Sequence, residues 1–127
     1  MQVVTIDELD FAKGSGLMPV VVQDYTDGSV LTLAYVNREA LVKTIETGLA
    51  HFYRRSHGTV MMKGATSGNT QRVVEILTDC DLDSLVFRVI RSGPACHLGW
   101  ESCFSRVVRK ESQQTISVRT SSDTLVC

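Results

Sequence analysis

Hydrophobic and polar residues alternate in short runs along most of the chain, a pattern typical of β-strands with one buried face. Turn-forming dipeptides separate several of these runs, and Asp27-Gly28 is the clearest of them. The pattern therefore predicts three strand pairs. They are PVVVQD (19–24) with SVLTLAYV (29–36), LAHFYRRS (49–56) with TVMMKG (59–64), and TQRVVEILTDCD (70–81) with SLVFRVIR (84–91).

One segment, REALVKTIET (38–47), has helical rather than alternating periodicity. It follows Asn37, a favoured N-cap residue, and precedes Gly48, the residue type that most often ends a helix. Val36 and Leu41 are spaced as a hydrophobic staple across the helix start. One main helix among paired strands predicts a single, strand-dominated α+β domain.

Length and charge narrow the class of protein. The 127 residues are 43% hydrophobic, enough to form the core of one domain. Thirteen basic and fourteen acidic residues give a net charge of −1, so we expect neither nucleic acid nor membrane as a partner. No export signal or membrane-spanning run is visible, and a cytoplasmic location is therefore expected. We expect residues 1–110 to form the domain and 111–127 a polar tail, in which TISVRT (115–120) is an edge strand or a frayed end.

Two stretches fit neither a strand nor a helix. GATSGNT (64–70) is rich in glycine and small hydroxyl residues, and GPACHLGWESCF (93–104) contains two cysteines, a proline and two glycines. Loops carried on a rigid sheet are common places for functional residues. We therefore expect the site in these two loops.

Three aspartates, at positions 79, 81 and 83, occur at every second residue of TDCDLDS. A strand continuing through Asp81 would send Asp79 and Asp81 to one face and Cys80 to the other. Extended geometry would also place the Cα atoms of Asp79 and Asp83 roughly 13 Å apart, unless the chain bends near Leu82. A solvated acidic turn is the simpler alternative. A metal bound by the carboxylates should be a hard cation.

The thiols of Cys80, Cys96 and Cys103 are spaced too widely for the C-x-x-C pairs of structural zinc sites. Three unreactive thiols are therefore one interpretation. The P-C-x-x-C and H-x-E motifs of zinc deaminases are also absent. Three protein ligands and one open position are nevertheless the composition of a catalytic zinc site, and His97 would then be in range to move a proton of the bound water.

Several motifs, in the same order, resemble those of the phosphoribosyl-AMP cyclohydrolase family of histidine biosynthesis. Residues 63–104 resemble the family pattern KGETSG, DCDxD, ACHTG and SCF. Upstream, LMPVVVQD (17–24), VLTLAYVNREAL (30–41) and FYRRS (52–56) resemble further family segments. The resemblance covers most of residues 17–106.

The resemblance implies a hydrolase that opens the N1–C6 bond of the purine ring in 1-(5-phosphoribosyl)-AMP by means of a zinc-bound water. Residues 1–110 would then be a cyclohydrolase-like catalytic domain, and His97 would move protons. The resemblance also implies an intertwined homodimer in which cysteines of both subunits contribute to one zinc site. Its zinc ligands would be Cys80, Cys96 and Cys103, and its magnesium ligands Asp79, Asp81 and Asp83. Further substrate contacts are expected from Arg55, Ser56, Lys63, Thr66, Ser67, Gly68 and Asn69.

The sequence also departs from the family pattern at several positions. Ala65 replaces a glutamate, Met61 a tryptophan, Leu98 a threonine, Ser105 a tyrosine and Arg54 a serine. None of these residues is an expected metal ligand. Ala65 and Leu98 nevertheless support a second hypothesis, in which the protein is a non-catalytic nucleotide-binding dimer that retains zinc as a structural element.

Overall fold

The computed structural model describes residues 2–111 and 114–115, and it confirms the strand-dominated α+β architecture. Two short 3-10 turns, Ile6–Glu8 and Ala12–Gly14, precede the first strand. The described residues form one α-helix and eight strands. They are β1 (Met18–Asp24), β2 (Val30–Val36), α1 (Arg38–Thr47), β3 (His51–Arg54), β4 (Thr59–Met62), β5 (Gln71–Thr78), β6 (Leu85–Arg91), β7 (Arg109–Glu111) and β8 (Gln114–Thr115).

The main sheet has four strands in the order β2-β1-β6-β5. The pairs β1/β2 and β5/β6 are antiparallel, as predicted, whereas β1 and β6 are parallel neighbours. In the centre of the sheet, Val20 pairs with Ala34 on one side and with Leu85 on the other. The predicted pair β3/β4 forms a separate antiparallel hairpin, and β7/β8 forms a small third one. The edge strand considered for 115–120 lies outside the described residues beyond Thr115.

The core lies against one face of the main sheet. Met18, Val20 and Val22 alternate with less buried residues along β1 and are fully buried. Phe87 of β6 is also fully buried, and its ring stacks on Phe52 of β3 with the ring centroids 5.9 Å apart. This aromatic contact joins the β3/β4 hairpin to the main sheet.

Both predicted ends of α1 are confirmed. Oδ1 of Asn37 accepts a hydrogen bond from the backbone N–H of Ala40 at 2.8 Å, and Gly48 ends the helix in the left-handed conformation at φ 76°. Inside the helix, the buried hydroxyl of Thr44 donates to the carbonyl of Ala40 and accepts from the N–H of His51. Because His51 begins β3, this hydroxyl fixes the helix against the strand.

The expectation that β5 continues through Asp81 is wrong. β5 ends at Thr78, which pairs with Leu85, so residues 79–84 form a tight turn. Oγ1 of Thr78 donates to the carbonyl of Ser84 at 3.0 Å, and Leu82 adopts a left-handed conformation at φ 61°. Side-chain hydrogen bonds therefore close the turn where strand pairing stops. Among the described residues, no helix is long and apolar enough to cross a membrane.

Candidate functional site

The turn between β5 and β6 brings the three aspartates together. Carboxylate oxygens of Asp79, Asp81 and Asp83 all lie within 4.8 Å of one another. The bend near Leu82 that such a cluster requires is therefore present. Oδ2 of Asp79 accepts from the hydroxyl of Ser84 at 2.7 Å, and its Oδ1 accepts from the N–H of Asp83 at 3.1 Å.

These hydrogen bonds, chiefly that from Ser84, lower the pKa of Asp79 to about 2. The carboxylate of Asp79 is therefore charged at neutral pH. Oxygen ligands bind Mg2+ or Ca2+ at roughly 2.0–2.6 Å, so two of them on opposite sides of one ion are about twice that distance apart. The spacing of the three carboxylates consequently fits one hard cation.

A lysine side chain already neutralises part of this cluster. Nζ of Lys13 lies 2.7 Å from Oδ2 of Asp83, and this hydrogen bond raises the pKa of Lys13. Lys13 belongs to the second 3-10 turn, Ala12–Gly14, and its backbone N–H donates to Asp10. A metal ion that binds the three aspartates must therefore compete with an ammonium group for Asp83.

The three candidate zinc ligands lie near opposite ends of β6. Cys80 lies in the turn that precedes this strand, and Cys96 follows its other end. Seven extended residues span roughly 20 Å. Cys96 is buried, whereas Cys80 and Cys103 are exposed. Within the described chain, the aspartates form the one group of three potential ligands that lie this close, so one subunit does not gather the three thiols.

The loop that contains Cys96 and Cys103, called the cysteine loop below, is fixed to the sheet by backbone hydrogen bonds and by Arg91. The N–H of Cys103 donates to the carbonyl of Leu31 at 2.7 Å, and the N–H of Cys96 donates to the carbonyl of Trp100 at 3.1 Å. Nη1 of Arg91 donates to both the carbonyl and the carboxylate of Glu101. The loop is therefore held at the end of the sheet where β6 finishes.

Arg91 also forms a buried ion pair that the sequence reasoning missed. Its Nε donates to Oδ2 of Asp24 at 2.9 Å, and the two side chains are 17% and 7% exposed. Hydrogen bonds from Thr26 and from Arg91 lower the pKa of Asp24 well below its usual range. The signal in the sequence is a charged residue at the end of each of two strands with a buried apolar face.

A cleft of about 450 Å³ lies between the β2 and β3 strands and the cysteine loop. The guanidinium carbon of Arg55 lies 3.9 Å from the centroid of the Tyr35 ring, so the arginine stacks on the tyrosine at the cleft wall. We call this space the first cleft. It is lined by Thr32, Leu33, Ala34, Tyr35, Phe52, Tyr53, Arg54, Arg55, Ser56, Lys63, Ala95, His97 and Cys103.

A second cleft, of about 280 Å³, adjoins the first. The Gly-rich loop 64–70 forms much of its wall. Four residues line both clefts, namely Phe52, Arg54, Lys63 and His97. The other residues that line the second cleft are Met61, Met62, Gly64, Ala65, Thr66, Ser67, Asn69, Pro94 and Cys96.

Close packing against the end of β6 holds the Gly-rich loop in place. A Cβ atom on Gly64 would lie 2.4 Å from the backbone carbon of Asn69, and one on Gly93 would lie 2.2 Å from the Asn69 side chain. The hydroxyl of Ser92 donates to the carbonyl of Gly68 at 3.1 Å. Gly64 therefore permits a close backbone approach, and Gly93 leaves room for the Asn69 side chain.

Lys63 connects the two loops. Its Nζ donates to the carbonyl of Ala95 at 2.8 Å, which places the ammonium group beside Cys96. Lys63 therefore both lines the clefts and fixes the cysteine loop.

The expected site residues thus fall into three groups. Arg55, Ser56 and Cys103 line the first cleft, and Thr66, Ser67, Asn69 and Cys96 line the second. Lys63 and His97 line both, while Gly68 lies in the loop without lining either. None of the aspartates of the β5–β6 turn lines either cleft.

The model of the family described as phosphoribosyl-AMP cyclohydrolase matches residues 32–105, more than half of the chain. The chain belongs to the phosphoribosyl-AMP cyclohydrolase family. The family resemblance inferred from the motifs is therefore confirmed, and with it that the protein is an enzyme of a histidine-biosynthesis family.

Curated members of the cyclohydrolase family are similar over most of this chain. The phosphoribosyl-AMP cyclohydrolase of Cenarchaeum symbiosum is 54% identical over 99 residues, which are 78% of this chain and 92% of that protein. That of Listeria innocua is 48% identical over 106 residues, or 84% of this chain and 99% of that protein. The histidine biosynthesis bifunctional protein HisIE of Pyrococcus furiosus is 54% identical over 101 residues, so the chain spans about half (48%) of that longer protein.

Three of the departures from the cyclohydrolase pattern meet in the second cleft. Arg54, Met61 and Ala65 all line it, and Nη1 of Arg54 lies 4.0 Å from Sδ of Met61. Leu98 is exposed in the cysteine loop next to His97, and it lines neither cleft. This member of the cyclohydrolase family therefore differs from the pattern mainly in one wall of one cleft.

Proposed function

We propose that this chain hydrolyses the N1–C6 bond of the purine ring in 1-(5-phosphoribosyl)-AMP, as the names of its relatives suggest. One structural observation supports this activity above the others. His97 lines both of two adjoining clefts that contain Arg54 and Lys63 and, among the residues that the structure describes, no aspartate or glutamate. Such a site suits a ligand that has two phosphate groups and one reacting carbon between them.

The charges of the clefts favour phosphates. Arg55 adds a third cation to the first cleft, and its position on the Tyr35 ring orients the guanidinium before any ligand arrives. In the second cleft the hydroxyls of Thr66 and Ser67 offer neutral donors. Because the net charge of the whole chain is −1, this attraction is local to the site.

The chemistry requires proton transfer, and His97 is placed for it. Water adds to C6, the N1–C6 bond breaks, C6 and its amino group become a carboxamide, and N1 gains a proton. A neutral imidazole can accept the proton from the attacking water and return it to N1. His97 is exposed at the wall common to both clefts, where a bound purine ring can reach it.

We further propose that Cys80, Cys96 and Cys103 bind Zn2+ and that Asp79, Asp81 and Asp83 bind Mg2+. Zinc would supply a positive charge near C6 and make a water molecule more acidic. Magnesium would allow the acidic turn to approach a phosphate that it would otherwise repel. The thiol side chains fit a zinc site when it is shared, because Cys80 lies at the opposite end of β6 from Cys96.

The protein is accordingly proposed to be a homodimer in which the β5–β6 turn of one subunit approaches the cysteine loop of its partner. This arrangement would bring Cys80 to the other two thiols and the acidic turn to the clefts. Both metals would then lie at one shared site, although within one subunit Cys80 and the three aspartates lie away from the clefts.

Ring opening followed by ultraviolet absorbance tests the activity. The metal-loaded protein should convert phosphoribosyl-AMP, and His97→Ala should retain zinc while losing rate. Cys127→Ala serves as a control for the loss of a thiol that is not an expected ligand. A protein that contains full zinc and shows no turnover would instead support a non-catalytic nucleotide-binding dimer, which the presence of Ala65 in the wall of the second cleft favours.

A further inference from the structure

The two clefts are separate spaces with a common wall. Phe52, Arg54, Lys63 and His97 form this wall, whereas Tyr35 and Arg55 line only the first cleft and Thr66 and Asn69 only the second. Together the clefts have space for two substituents that leave one centre in different directions. Of the four residues in this wall, His97 is the one whose side chain both accepts and donates protons near neutral pH, so it would be the residue at the centre.

The proposed substrate has this shape. One phosphoribosyl arm leaves the adenine ring at N9 and the other at N1, and the reacting carbon C6 is bonded to N1. The atom that reacts is therefore next to the start of the second arm. A residue that moves protons at C6 and N1 must lie where that arm enters its own subsite, and His97 lies at such a junction.

We propose that the first cleft binds the AMP half of the substrate and that the second binds the phosphoribosyl group carried on N1, an assignment that rests on the proposed function. The first cleft is the larger, about 450 Å³ against about 280 Å³, as a ring plus one arm requires. Tyr35 and Tyr53 line this cleft and not the second, and they offer aromatic surface for a purine. The second cleft offers hydroxyl and amide groups, which suit a ribose and a phosphate.

Arg54 is placed to contact a phosphate in either cleft. It lines both clefts, it is exposed, and among the described residues no carboxylate forms an ion pair with it. The nearby Met61 sulfur, 4.0 Å from Nη1, is at most a weak acceptor. The guanidinium therefore has most of its donors free for phosphate oxygens from either cleft.

Simultaneous binding of two fragments tests this assignment without requiring turnover. AMP would occupy the first cleft and ribose 5-phosphate the second, so the metal-loaded protein should bind ribose 5-phosphate in the presence of saturating AMP. AMP affinity can be measured by calorimetry and ribose 5-phosphate binding by phosphorus NMR. Competition between the two ligands, or no ribose 5-phosphate binding at AMP saturation, would overturn the assignment.

Three variants make the test residue-specific. Arg55→Met should weaken AMP about tenfold, because it removes a charge-assisted phosphate contact, and should leave ribose 5-phosphate unchanged. Thr66→Val should weaken ribose 5-phosphate alone, and Arg54→Met should weaken both. Equal effects of Arg55→Met and Thr66→Val on both ligands would contradict separate subsites. Zinc content and circular dichroism show whether each variant is folded.

The outcome for the subsites is distinguishable from the outcome for the activity. Two ligands bound side by side to a protein that does not open the ring would refute the proposed reaction and keep the two subsites. Turnover by a protein in which the fragments compete would keep the reaction and refute the assignment.

Discussion

Nε of Arg91 donates to Oδ2 of Asp24 across 2.9 Å, and the same guanidinium holds Glu101 of the cysteine loop. Asp24 ends β1 and Arg91 ends β6, so the pair joins two neighbouring strands at the end of the sheet where the loop begins. Both side chains are largely buried. The stability of the sheet end therefore depends on this arginine, which also helps to hold the loop that carries Cys96 and Cys103.

Arg91→Met should lower the free energy of unfolding by about 3 kcal/mol, because it leaves the buried Asp24 carboxylate without its cation. Urea unfolding at pH 7 measures the loss. Arg88→Met is the matched control, since Arg88 lies on the same strand and pairs with the half-exposed Glu75. The control should cost at most about 1 kcal/mol. Equal losses in the two variants would contradict the special role of Arg91.

The pKa of Asp24 predicts a pH dependence of stability. Hydrogen bonds from Thr26 and Arg91 lower this pKa in the folded protein. The carboxylate therefore stabilises the fold above the unfolded-state pKa, about 4, and this contribution is lost as the pH falls toward the folded-state pKa. Asp24→Asn should consequently reduce stability at pH 7 and should make the difference from the native protein smaller at pH 3.

Urea unfolding of both proteins at each pH measures this difference, in which the contributions of the other acidic groups cancel. Asp27→Asn is the control in the same turn, because Asp27 is exposed and its carboxylate accepts from Ser29, whose N–H lies 2.8 Å away, rather than from a buried arginine. Its effect should be smaller at every pH. A constant difference for Asp24→Asn between pH 7 and pH 3 would disprove the assigned cause.

Two glycines of the Gly-rich loop 64–70 have the same backbone conformation and different surroundings. Gly64 and Gly68 have φ of 82° and 81°, but a Cβ would meet the Asn69 backbone at 2.4 Å from Gly64 and nothing within 4 Å from Gly68. Gly68→Ala should cost about 1–2 kcal/mol for the left-handed conformation alone. Gly64→Ala should cost several times as much or prevent the loop from closing.

Urea unfolding compares the two variants, and AMP binding reports whether the rest of the site remains. Because AMP is assigned to the first cleft, Gly64→Ala protein that still folds should retain AMP affinity and lose affinity for ribose 5-phosphate. Similar stabilities for the two variants would show that the close approach to Asn69 is unimportant.

Local signals account for the elements that could be predicted from the sequence. Short-range contacts form the caps of α1 at Asn37 and Gly48 and the turn at Asp27-Gly28. Each involves only a few neighbouring residues, so the local sequence predicts it. The parallel pairing of β1 with β6 joins Val20 to Leu85, residues far apart in the chain, and no local pattern indicated it. The ion pair of Asp24 with Arg91 depends on the same pairing.

The acidic turn shows how a correct motif can accompany a wrong local structure. A strand through Asp81 would place Asp79 and Asp81 on one face, but hydrogen bonds from Ser84 and Asp83 to Asp79 bend the chain and gather the three carboxylates. The alternation of residues thus fails at the end of β5, whereas the bend near Leu82 that a site of three carboxylates requires is present. Neither pattern indicated that Lys13 would lie beside Asp83.

Lys13→Met should tighten binding of Mg2+ to the acidic turn several-fold, because the cation no longer competes with an ammonium group 2.7 Å from Asp83. Calorimetric titration at low ionic strength measures the change, and added salt should reduce it. Lys43→Met is the control, since Lys43 pairs with Glu39 on α1. An unchanged magnesium affinity in Lys13→Met would show that the ion pair does not oppose the metal.

Mixing two inactive variants tests whether the zinc site is shared between subunits. Cys80 lies near one end of β6, and Cys96 lies beyond the other, so a shared site takes Cys80 from one subunit and Cys103 from its partner. Cys80→Ala and Cys103→Ala should each bind no zinc at the site. A mixed dimer of the two contains one intact site, because each subunit supplies the ligand that the other has lost.

After subunits are exchanged at random, half of the dimers are mixed, and zinc content and ring-opening rate should recover to about a quarter of the native values. Mixing Cys96→Ala with Cys103→Ala is the control, because both residues belong to the same half of the proposed site and no intact site can form. Native mass spectrometry verifies the exchange. Recovery in the control, or none in the Cys80→Ala mixture after proven exchange, would contradict the shared site.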